Sequence, residues 1–80
     1  MSHWKQTIKI RDLLTEDSSA DAIKTAAAEL VLRLPNSAPT SRLQKAQAMA
    51  DSDPETALLV FNDGMSRIYD WADDNRVWLA

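Results

Sequence analysis

Between Asp53 and Ala72 the chain combines a helix start signal with apolar residues on two faces, and no other stretch restricts the fold so tightly. Asp53 can accept from free backbone N–H groups, Pro54 suits the first helical position, and Glu55 favours that end electrostatically. Leu58, Phe61, Met65, Ile68, Tyr69 and Ala72 recur at spacings of three and four on one face. Ala57, Val60, Gly64 and Trp71 form a second. A helix wetted on one side needs a single apolar stripe, so two imply a central helix or one that meets a partner. Asn62-Asp63-Gly64 is also a strong hairpin turn, with 58–61 and 65–69 as flanking strands. The helix is the better reading, because the three-four spacing runs through the glycine and 65–69 does not alternate. A mid-helix glycine costs about 1 kcal/mol relative to alanine, so packing has to offset it.

That helix is expected over about 54–74. Asn75 can then take a left-handed conformation and end it. Residues 76–79 read as a strand, with Val77 and Leu79 facing one way and Trp78 the other. Near the other end of the chain, Trp4, Gln6, Ile8 and Ile10 alternate with Lys5, Thr7, Lys9 and Arg11, the period of a half-buried strand over about 4–11. The two segments are natural mates in a ribbon, with Trp4 and Trp78 meeting across it. A two-stranded ribbon leaves two open edges that helices or another chain must cover.

Between them, Leu13 and Leu14 open a polar loop, and Ser18 or Ser19 caps a first helix over about 18–34. Ile23, Ala26, Ala27, Leu30, Val31 and Leu34 share its inward face, and Glu29 can reach Arg33 at i,i+4. Leu32 lies on the polar face as an exposed apolar residue. Pro35 ends the helix. Ser41 and Gln44 fit a capping box for a second helix over about 41–51, with Leu43, Ala46 and Ala50 inward and Met49 on the flank. The expected fold is mainly α with a small β component: three helices and a two-stranded ribbon, as one small globular domain spanning 1–80.

Eighty residues bury roughly 60% of their unfolded surface, so the core is marginal without a staple or a partner. No cysteine is present, which removes disulfides and thiolate metal sites. The first residues lack a signal-peptide apolar segment and no apolar run approaches ~20 residues, so a cytoplasmic protein with no membrane span is expected. Net charge is −3 overall, +2 over 1–50 and −5 over 51–80. The acidic half disfavours phosphate contacts there.

Catalysis finds little support. His3 is the only histidine and sits at the terminus, no serine or threonine has an evident base, and Asp70, Asp73 and Asp74 read as solvated charge at a helix end. Asp51, Asp53 and Glu55 resemble the opening of a calcium loop, but Thr56 stands where glycine is needed and the closing glutamate is missing. No glycine-rich phosphate loop exists, and no cofactor is implied. A helix pair over 41–51 and 54–74 has helix-turn-helix proportions. Its second helix begins Pro-Glu-Thr-Ala-Leu-Leu, which offers no base-reading side chains. Arg33, Arg42 and Lys45 are the phosphate contacts of that alternative, a DNA-binding regulator.

The ending Tyr69-Asp70-Trp71-Ala72-Asp73-Asp74-Asn75-Arg76-Val77-Trp78-Leu79 resembles the C-termini of small phage and prophage accessory proteins of uncharacterised function. The opening Thr7-Ile8-Lys9-Ile10-Arg11-Asp12-Leu13-Leu14 has the same character. The resemblance implies an early-region phage protein that acts in the bacterial host by binding a host factor; inhibitors of host defence belong to this class. It carries over no catalytic residues. The residues themselves point to a non-enzymatic protein-binding module, with a homodimer as one arrangement. Its candidate contacts are Leu32, Val60, Arg67, Trp71 and Trp78. A weaker third reading makes Asp70, Asp73 and Asp74 a mimic of nucleic-acid charge.

Overall fold

The central helix forms as one uninterrupted element. A computed structural model describes residues 4–13 and 19–80. In it β1 (Gln6–Ile8) is followed by a 3-10 turn (Arg11–Leu13), α1 (Ala20–Arg33), α2 (Ser41–Met49), α3 (Pro54–Asp74) and β2 (Val77–Leu79). His3, Leu14, Asp17 and Ser18 lie outside the described residues. The protein is therefore mainly helical, with its two short strands drawn from the two ends of the chain.

The strands pair in parallel, Gln6 opposite Val77, Thr7 opposite Trp78 and Ile8 opposite Leu79. Backbone bonds extend the pairing beyond the strands: Ala80 N–H donates to Ile8 O, and the N–H groups of Ile10 and Arg11 both donate to Ala80 O. A parallel pair needs a crossover between its strands, and the three helices supply it. The first strand is shorter than its alternation predicts because the chain turns into the 3-10 helix at Arg11, while a bend at Lys5 removes Trp4 from it.

Ser19 caps α1, its hydroxyl accepting from Ala22 N–H at 3.3 Å. Leu34 closes that helix in an extended conformation, as the following Pro35 requires. At α2 the boundary moves by one residue. Thr40, not Ser41, is the N-cap, and its hydroxyl accepts from the Gln44 side chain rather than from a backbone N–H. Asp53 caps α3 by accepting from Thr56 N–H at 3.2 Å. Hydrogen bonding from the Thr56 side chain, and then from its backbone N–H, holds the Asp53 carboxyl below the ordinary carboxylate range.

Ile10, Ile23, Leu30, Leu43, Phe61 and Ile68 are the largest fully buried side chains, and Ile8 is buried with them, so β1, all three helices and the segment after β1 share one core. Gly64 explains how α2 and α3 approach so closely. A Cβ there would lie 3.0 Å from Arg42 Cβ, 3.3 Å from Leu43 Cδ2 and 3.4 Å from Leu43 N. The glycine that weakens the helix locally is what lets its neighbour dock. Ala57 and Gly64 are thus buried inside the chain, while Val60 and Trp71 are half-buried against the core. Most of the second apolar face belongs to the central-helix explanation.

Ion pairs tie the layers. Lys24 on α1 meets Asp51 in the α2–α3 loop at 2.9 Å, and this hydrogen bond raises the lysine's pKa above its ordinary value. Asp63 on α3 accepts from Arg42 at 3.1 Å and from Arg67 at 3.2 Å. Arg33 reaches Asp12 at 3.2 Å and Lys9 O at 2.8 Å, so the expected Glu29 partner gives way to contacts that pin α1 to the segment after β1. Among the described residues no helix is long and apolar enough to cross a membrane.

Candidate functional site

The end of α3 and the ribbon enclose a shallow cleft of about 310 Å³. It is lined by Tyr69, Ala72 and Asp73 from α3, Val77, Trp78 and Leu79 from β2, and Trp4 and Arg11 from the N-terminal segment. Its walls follow from local chemistry. Asn75 folds its side chain back onto α3, donating from Nδ2 to Trp71 O at 2.8 Å while its own N–H reaches the same carbonyl. Arg76 then turns the chain with φ of 55°, so Arg76 holds the left-handed conformation expected of Asn75. The Asn75 side chain satisfies the helix end, and the reversal falls one residue later.

From Arg76 the chain runs into β2 with Val77 and Leu79 buried and Trp78 outward. Trp78 meets Trp4, with ring centroids 5.8 Å apart and planes inclined by 40°. Strict alternation would put Trp4 on the Ile8 face, away from Trp78. The bend at Lys5 brings it over instead. Trp4, Tyr69 and Trp78 are 37%, 44% and 46% exposed, which makes the cleft the place where large aromatic surface gathers outside the core. Arg11 and Asp73 both line it, yet neither makes an ion pair among the described residues.

The residues singled out from sequence do not form one patch of this kind. Trp78 belongs to the cleft. Leu32 projects from the outer side of α1, 77% exposed, and Leu59 is a second isolated apolar residue on α3. Val60 and Trp71 are half-buried, and Arg67 is engaged with Asp63. Of the cations in the DNA-binding alternative, Arg33 and Arg42 are held in ion pairs, and Lys45 is exposed on α2. Asp51 and Asp53, the acids of the calcium-like stretch, serve the Lys24 pair and the α3 cap. No group of three potential metal-ligating side chains comes together among the described residues.

Sequence reasoning missed Tyr69 and Arg11 as cleft residues. Tyr69 fits the apolar spacing of α3, but it falls at the margin of the stripe, beside the fully buried Ile68. Arg11 looked like an outward strand residue until the 3-10 turn carried it to the cleft. No family model matches this chain, and neither does any curated protein or solved structure.

Proposed function

We propose that this protein is a non-enzymatic protein-binding module whose docking surface is the aromatic cleft at the end of α3. The observation that supports it is the gathering of Trp4, Tyr69 and Trp78 around one opening. Tryptophan and tyrosine bring large, rigid contact area to protein interfaces at low entropic cost, and arginine is a frequent companion. The charged groups that line the cleft stand in water, without the buried base or nucleophile that acid–base or covalent chemistry calls for. The C-terminal resemblance gives the biological setting: a phage or prophage accessory factor in the host cytoplasm that occupies the surface of a host protein and modulates it, with inhibition of host defence as one such role.

The test compares immobilised wild-type protein with Trp78→Ser and Tyr69→Ala variants, after circular dichroism has established that each retains its helices. Bacterial proteins captured from lysate are identified by mass spectrometry and then purified for titration. A host protein bound directly by the wild type and at least about tenfold more weakly by both variants is the expected result. Equal binding by all three removes the cleft from the function.

A further inference from the structure

The cleft draws its walls from both faces of the ribbon. Tyr69, Ala72 and Asp73 belong to α3, which packs on the face that buries Val77 and Leu79, whereas Trp78 points from the opposite face. An opening that reaches both faces of a ribbon passes one of its edges. All three residues of β2 line it and none of Gln6–Ile8 does, so that edge belongs to β2, on the side away from β1.

Main-chain groups alternate in direction along a strand. Arg76 O accepts from Lys5 N–H, Ala80 N–H donates to Ile8 O, and Ala80 O accepts from Ile10 N–H. Residues 76 and 80 therefore face β1, and Trp78, in step with them, does the same. Val77 and Leu79 aim their N–H and C=O groups the other way, and no third strand pairs with them among the described residues. On the far edge of the ribbon the outward carbonyl Lys9 O accepts from Arg33 at 2.8 Å. One edge is tied to α1, and the other borders the cleft.

We infer that the cleft receives an extended segment of a partner protein, which adds to β2 as a third strand through the main chain of Val77 and Leu79. This rests on the reading of the cleft as a docking surface and names what docks there. Donors and acceptors at alternate residues, about 6.6 Å apart, complement a β-strand. They do not complement a helix, which spends its backbone bonds on itself. Main-chain bonds give such a contact its affinity, and the side chains beside them its specificity. Every second side chain of the incoming segment falls on the Trp78 face, where a large apolar or aromatic residue pairs with that ring across the strands. Proline is excluded at a paired position, because it has no N–H to donate.

Hydrogen exchange followed by NMR on the full-length chain is the first test. The amides of Trp78 and Ala80 are protected, whereas those of Val77 and Leu79 exchange at least about tenfold faster. Equal protection in the free chain means that the edge is already covered, and it overturns the inference. Peptides are then selected on the immobilised chain from a random library displayed on yeast. Those that bind slow exchange at Val77 and Leu79 and leave Thr7, on the far edge, unchanged. N-methylation of the selected peptide, one residue at a time, weakens binding at every second position. A chain synthesised with an N-methyl group on the Leu79 nitrogen keeps every side chain, loses one edge donor and binds at least about tenfold more weakly. A library that yields no binder, or binders without the two-residue period, overturns the inference. A host protein captured through Trp78 and Tyr69 whose binding ignores the Leu79 N-methyl group defeats the third strand and leaves the docking reading intact. Edge-bound peptides, with host capture indifferent to Trp78→Ser and Tyr69→Ala, do the reverse.

Discussion

The middle of α3 and its end are built to opposite specifications. Around Gly64 the chain covers its own helix: the backbone lies against Arg42 and Leu43, Phe61 and Ile68 are buried, and Asp63 is bracketed by two arginines. Two turns later the same helix presents Tyr69 and Asp73 to an open cleft, where the partly exposed Trp4 and Trp78 meet. One helix is therefore internal scaffold over half its length and borders an open cleft over the rest. Apolar content does not distinguish the halves; what separates them is how far the described residues cover each.

The largest expected effect lies on the closed side. Phe61→Ala removes a fully buried ring and leaves a cavity, at a cost of about 3–5 kcal/mol. For a domain this small that is most of its stability, so urea unfolding should begin in the absence of denaturant. A cooperative transition within about 1 kcal/mol of wild type would show that the middle of α3 is as loosely covered as its end.

Gly64→Ala sharpens the same contrast. The added methyl raises helix propensity by about 1 kcal/mol. It also presses on Arg42 Cβ, which sits next to backbone and cannot swing away, so α2 has to shift. Overpacking of this kind costs about 1–3 kcal/mol, and a net loss of about 1 kcal/mol is expected. A net gain would mean that α2 gives way easily and the crossing is not tight.

Asp53→Ala should lower the melting temperature near neutral pH by removing the α3 cap. The wild-type cap bonds the ionised carboxylate, so its folded-state pKa is depressed. Its contribution is present above the ordinary carboxylate pKa and disappears as pH falls through the depressed value. The gap between wild type and Asp53→Ala should close in acid, whereas the difference between Asp53→Asn and Asp53→Ala, neither of which titrates there, should stay flat with pH. A gap unchanged with pH would point to the alanine disturbing the loop rather than the cap.

Much of the closed half was legible in sequence. The cap-proline-acid start, the persistence of the stripe through Gly64 and the inward faces of α1 and α2 all rest on local periodicity that the core then uses. The open half was harder to read because it depends on where short segments turn. The 3-10 turn after Ile10, the bend at Lys5 and the reversal at Arg76 each move one side chain from its alternating position. Leu34 could be placed by its proline, whereas nothing local showed that Asn75 would bond Trp71 O and leave the left-handed residue to Arg76. Spacing of three and four likewise could not tell the centre of a stripe, Ile68, from its margin, Tyr69.

Trp78→Ser bears on the open side. The tilted Trp4–Trp78 pair contributes about 0.5–1.5 kcal/mol, and both rings remain partly wet, so folding stability should fall by about 1 kcal/mol. Association should fall far more than stability. The reverse order, a large loss of stability with binding intact, would make the tryptophan pair a clasp for the ribbon and not a contact surface.

The smallest effect is expected at Arg76, where the two regions join. A non-glycine residue at φ 55° carries about 1 kcal/mol of local strain. Glycine relieves it but gives the unfolded chain more freedom, so Arg76→Gly should stabilise by only about 0.5 kcal/mol, whereas Arg76→Val should destabilise. The turn fixes the start of β2, because Arg76 O accepts from Lys5 N–H at 2.9 Å and so sets the ribbon register that brings Trp78 to Trp4. Tryptophan fluorescence should be unchanged in Arg76→Gly if backbone geometry alone is at work. A loss of stability with altered fluorescence would instead give the Arg76 side chain a part in holding the cleft open, and the boundary between the covered and open parts of the molecule would move back to the last turn of α3.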